Sequence, residues 1–162
     1  MDKITFTFNE LAQKELPLLL KSLNDSKAYI VSDLLGKNLG VAAALKKTGK
    51  DKDFAGLYIF IETANEQVIY TGISRTVLSR LNQHVNIRNH NAASFAYKIA
   101  KEKQGYTGKR ATFQKEHITT EQTILHQYKV KFIEIEDTLT RYLFEVYVAM
   151  HFDTPYNTFE TS

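Results

Sequence analysis

GLYIFIETANEQVIYTGIS, residues 56–74, decides how this chain is read. Its two ends are rich in β-branched and aromatic residues, and the polar run Ala64-Asn65-Glu66-Gln67 separates them. Two strand-like runs around a short polar loop predict a β-hairpin, with strands over 55–63 and 68–74. Within it, Gly56-Leu57-Tyr58 is followed after eleven intervening residues by Tyr70-Thr71-Gly72. The two phenols therefore fall on neighbouring strands, where their hydroxyls could converge on one face. Gly72 leaves room there for a ligand or another backbone to approach closely.

Downstream of the hairpin, TVLSRLNQHVN (76–86) has apolar residues at Val77, Leu78, Leu81 and Val85, which is a helical stripe. Arg80 and His84 stand four residues apart and share a different face of that helix. Further helices are expected over 92–103 and 120–128, and KVKFIEIE (129–136) alternates as a third strand. Asp137 or Thr138 then caps DTLTRYLFEVYVAMHF, with Leu139, Leu143, Val146 and Met150 read as its buried face. At 100° per residue Glu145 lies about 120° from that stripe, away from the deepest core. Upstream, 9–23 reads as a helix after an Asn9 cap, with Pro17 expected to kink or restart it. GVAAALKK continues the helical lead-in, and the polar segment 48–53 is the best internal boundary. The reading is an α+β chain: a helical N-terminal extension over 1–53, then a domain over 54–162 with a small three-stranded antiparallel sheet flanked by helices.

Composition limits the chemistry. The 162 residues are 43% hydrophobic and 24% charged, which suits one soluble globular domain. No cysteine is present, so a disulfide scaffold, a thiolate metal site and a cysteine nucleophile are all excluded. The five histidines lack HExxH-like spacing. No stretch approaches the roughly 18 apolar residues of a membrane span. The opening MDKITFTFNE lacks a secretory pattern, so a cytoplasmic protein is expected. The net charge of +3 is small, but residues 96–117 alone carry six Lys/Arg against two Asp/Glu. That block is Lys98, Lys101, Lys103, Lys109, Arg110 and Lys115, with Tyr106 between Gly105 and Gly108. A cationic segment with a flexible, aromatic-bearing loop suits a phosphate backbone, although a solvated helix face has the same look.

GLY, eleven residues, YTG, Ser74, and then LSRLNQH ending at His84 together resemble the GIY-YIG nuclease superfamily. Glu145 in RYLFEVYVAM and Asn157 in TPYNTF occupy the places of the family's later glutamate and asparagine. The resemblance spans about residues 54–159. Leu57 and Thr71 stand where isoleucine is usual, and the Thr71 hydroxyl suggests a less buried face. Taken singly, each of these residues has an ordinary packing, surface or turn reading; their common order favours the nuclease.

The resemblance implies a divalent-metal-dependent endonuclease hydrolysing phosphodiesters, most readily in double-stranded DNA. Glu145 would hold one Mg²⁺ or Mn²⁺, a cation that keeps most of its waters and takes few carboxylates. Tyr58 would accept or relay the proton of the attacking water; a free phenol near 10 needs help for this, which His84 could give. Arg80 would hold a non-bridging phosphate oxygen, and Tyr70 would orient phosphate or water. Asn157 would either fix the closing segment or donate to the phosphate. The alternatives are a catalytically inactive nucleic-acid-binding module on the same fold, or a protein-interaction module recruiting partners through residues 1–53. One active site would need a homodimer, or two successive cuts, to break a duplex. Target site and biological role stay open at this level.

Overall fold

The computed structural model describes residues 6–159. In chain order these form α1 (Phe8–Glu10), a π-helical turn (Leu11–Glu15), α2 (Leu16–Asp25), β1 (Tyr29–Ile30), α3 (Val31–Leu35), α4 (Val41–Thr48), β2 (Gly56–Ile61) and β3 (Val68–Ser74). There follow α5 (Val77–Asn86), α6 (Ser94–Lys103), a 3₁₀ turn (Arg110–Thr112), α7 (Lys115–Leu125), β4 (Lys129–Glu134) and α8 (Thr138–Phe152). The sheet has four strands in the order β1-β4-β2-β3, which corrects the three-stranded expectation. The added strand, Tyr29–Ile30, is two residues long, too short for an alternating pattern to show in the sequence.

The chain folds as two compact units. The first takes the residues up to Ala28, Phe54–Val77 and the residues from Val130 onward; the second takes Tyr29–Asp53 and Leu78–Lys129. The lead-in expected as a separate extension is thus shared between both.

In the first unit the helix begins at Thr7, two residues ahead of the expected Asn9 cap. Thr7 and Glu10 cap it reciprocally, each side chain accepting from the other's backbone N–H, at 3.2 and 2.8 Å. Pro17, in the first turn of α2, has no N–H to return to the preceding turn. The helix widens just before it, where Leu16 N–H donates to Leu11 O. Leu11, Leu16 and Leu23 share a core with Leu57, Ile59 and Ile61 of β2 and Phe144 and Val148 of α8.

The face of α8 is the largest correction. Leu139, Val146 and Met150, expected inside, are 44%, 41% and 77% exposed, and Leu143 is only partly buried. The buried side is instead Thr140, Arg141, Phe144, Val148 and Ala149. Apolar residues lie on both sides of this helix, so periodicity could not choose between them. The choice falls to Phe144, the bulkiest, and to Arg141, whose guanidinium donates to Ile135 O and Glu136 O and so holds the turn into α8. Glu145, about 120° from the apolar stripe, is therefore turned toward the buried side and is partly buried.

In the second unit α3 packs on α4 and α6 on α7. α4 ends where Gly49 takes a left-handed φ of 69°. α7 begins at Lys115, five residues before its expected start; Gln114 makes no side-chain cap bond, so no cap residue marks the boundary.

Candidate active site

β2 and β3 pair antiparallel with Tyr58 opposite Gly72 and Phe60 opposite Tyr70, so these four residues share one face of the hairpin. Leu57, Ile59 and Ile73 lie on the other face and pack in the core shared with α2 and α8. β2 is buried along its whole length, which explains why it reads as a continuous apolar run. The ring centroids of Tyr58 and Tyr70 are 6.4 Å apart, and Phe60 lies 6.2 and 6.4 Å from each.

Both glycines of the motif are required by close approach. A Cβ on Gly72 would run into the hydroxyl and ring of Tyr58, so Gly72 is what lets the phenol lie across the strand. A Cβ on Gly56 would strike the carbonyl of Ile133. Thr71 is fully buried, contrary to the expectation from its hydroxyl, because that hydroxyl donates to Tyr58 O at 3.1 Å.

Asn157 acts on the same strand. Its Oδ1 accepts from Thr71 N–H and from the Thr154 hydroxyl, and its Nδ2 donates to Thr71 O, at 2.9, 2.8 and 2.9 Å. Tyr156 N–H donates to Ile69 O. The segment after α8 thus lies along β3, the outermost strand of the sheet, and covers its edge. Of the two roles expected for Asn157, these bonds serve the fixing of the closing segment.

Glu145 is carried by α8, which packs on the aliphatic side of the hairpin, while the phenols occupy the other. Its carboxyl makes no hydrogen bond or ion pair among the described residues, and burial alone pushes it from its ordinary 4.5 up to about 7. A half-buried carboxyl without a partner costs stability. Among the described residues no three acidic or histidine side chains gather into a ready metal cage. A single carboxylate nevertheless fits Mg²⁺ or Mn²⁺ as bound at phosphoryl-transfer sites, where water and substrate oxygens fill the remaining positions.

Arg80 and His84 belong to the second unit. The Arg80 guanidinium donates to Ser94 Oγ at 2.8 Å, to Ala92 O at 3.2 Å and to Gln83 Oε1 at 2.8 Å, pinning the loop that enters α6. His84 is fully buried against the edge of Phe95. Burial, with the Arg80 charge beside it, holds its imidazole well below the usual range, so it is neutral at pH 7. The start of α5 is fixed by a residue the sequence reading passed over. Asp53 accepts from Leu78 N–H and Ser79 N–H, both at 2.9 Å, and from the Ser79 hydroxyl at 2.7 Å. Thr76, just ahead of α5, gives its N–H to the Ser74 hydroxyl. Asp53 lies 25 residues away, and no local signal announces it.

The basic block also divides. Lys103 is paired with the buried carboxylate of Glu121 at 3.0 Å. Arg110 donates to His90 O and lies 4.6 Å over the Tyr97 ring. The Tyr106 hydroxyl bonds Lys109 O and Thr112 Oγ1, and its ring packs on Phe113, so the loop expected to be flexible is closed on itself. Lys98 is half-buried on α6, whereas Lys101, Lys109 and Lys115 are exposed.

Residues 54–140, more than half of the chain, match the family model described as the GIY-YIG catalytic domain. The chain belongs to the GIY-YIG family, a family of nucleases that generally depend on divalent metal. Comparison with curated proteins and with solved structures finds no match. The matched stretch contains Tyr58, Tyr70, Arg80 and His84 and ends ahead of Glu145 and Asn157.

Proposed function

We propose that this chain is a divalent-metal-dependent endonuclease that hydrolyses phosphodiester bonds in DNA. The reading is supported by the match to the GIY-YIG catalytic domain together with Glu145, a partly buried carboxyl without a partner among the described residues, on the helix packed against the aliphatic side of the motif hairpin. Glu145 would hold the cation, which when bound polarises the scissile phosphate and steadies the leaving oxygen. Tyr58 takes or relays the proton of the attacking water, held in place by its fit over Gly72. Tyr70 orients the phosphate from the same hairpin face. Arg80, once released from Ser94 and Gln83, binds a non-bridging oxygen and holds it more tightly as charge develops. His84, held neutral, is able to accept a proton. Asn157 is a positioning residue: through Thr71 it fixes the strand that carries Tyr70.

A second reading, a nucleic-acid-binding module without turnover, is favoured by one observation: the Arg80 guanidinium is already engaged by three partners. Supercoiled plasmid separates the two. Nicking with Mg²⁺ or Mn²⁺ that EDTA stops, and that Glu145→Gln and Arg80→Ala each abolish, is the expected result. DNA binding with no cleavage in either cation would establish the second reading.

A further inference from the structure

The two units carry opposite charge. Among the described residues the second unit holds fourteen Lys/Arg against six Asp/Glu, and the first holds six against ten. A polyanion is therefore drawn more strongly to the second unit than to the first. Within the second unit an open concavity of about 390 Å³ is lined by Arg88, Lys115, Glu116 and Thr119. Arg88 lies just past α5 and Lys115 opens α7; both are exposed, and neither makes an ion pair or side-chain hydrogen bond among the described residues. Elsewhere in the unit Lys103 and Arg110 spend their charge on Glu121 and on His90 O. Thr119 gives its hydroxyl to Lys115 O, and Glu116 is the one carboxylate in the lining.

We propose that this concavity seats a backbone phosphate of the nucleic acid, and that the second unit supplies most of the binding affinity. A guanidinium and an ammonium lining one open concavity, neither of them in an ion pair among the described residues, are the groups a phosphodiester needs. The contact reads no sequence; it sets the register of the strand on the protein. Arg88 stands outside the basic block of 96–117 and becomes part of the surface only through the fold. The proposal rests on the nuclease reading for the choice of nucleic acid over other polyanions.

The test uses the full chain and a fluorescein-labelled DNA duplex, with anisotropy measured in EDTA across a KCl series. For the paired substitution Arg88→Ala with Lys115→Ala, the slope of log affinity against log salt should shrink by about 2. Glu116→Gln should tighten binding, and the paired control Lys14→Ala with Lys21→Ala, on the first unit, should leave the slope unchanged. An unchanged slope overturns the phosphate seat while leaving the nuclease intact. A reduced slope in a chain that cuts nothing in any divalent cation upholds the seat and defeats the nuclease reading. Binding to phosphatidylserine vesicles with none to the duplex overturns the proposal.

Discussion

Glu145 shows how one side chain can be costly for folding and useful for chemistry. Its carboxyl is drawn out of water without a donor to compensate, so the fold favours the protonated form up to about pH 7. Below pH 4.5 the group is neutral whether the chain is folded or not, and it costs nothing. As pH rises from 4.5 through 7 the unfolded chain ionises first, and stability drains away across that window. In the metal-free protein we expect Glu145→Gln to raise stability by roughly 1–2 kcal/mol at pH 8, a figure reduced for the partial exposure of the site. The gain should vanish by pH 4. Urea denaturation at the two pH values measures it, and an equal gain at both would show that packing is responsible. The sequence revealed this glutamate by its place in the family order. It does not reveal the burial, because the apolar stripe that periodicity picks out on α8 is the exposed one.

The elements divide by how locally their signals are written. The hairpin was legible because strand chemistry, a polar turn and two glycine-bearing motifs coincide within 56–74, and the register then places Tyr58 over Gly72. α5 was legible from its stripe, but its anchoring was not, since Asp53 reaches it from outside the element. α8 was visible as a helix and invisible as a face: Leu139, Tyr142, Val146 and Met150 make an apolar stripe opposite Phe144 and Val148. The Asn157 clasp is likewise a tertiary fact, joining the segment after α8 to an edge strand that the sequence places 86 residues away. Replacing Asn157 by Ala strips Thr71 of both side-chain partners and should cost roughly 1–3 kcal/mol. If Asn157 positions rather than catalyses, cleavage at 15 °C should retain most of its kcat while the thermal midpoint falls. Loss of kcat with an unchanged midpoint would place Asn157 at the phosphate.

At the scale of the whole molecule, charge becomes intelligible only through the fold. Counted along the chain, it showed a basic block at 96–117 and an acidic final quarter. Sorted by compact unit, the same residues separate into a strongly cationic body and an anionic one, because 29–53 joins 78–129. No helix among the described residues is long and apolar enough to cross a membrane. Tyr58, Tyr70, Glu145 and Asn157 belong to the first unit, and Arg80 and His84 to the second. The most direct measurement is the single-turnover rate of cleavage of a labelled DNA duplex in saturating Mg²⁺, wild type against Glu145→Gln. We expect the variant to fold, to bind the duplex in EDTA as the wild type does, and to cut it at least about 10²–10³-fold more slowly. A variant that binds and cuts at the wild-type rate would contradict the assignment of Glu145 to the cation.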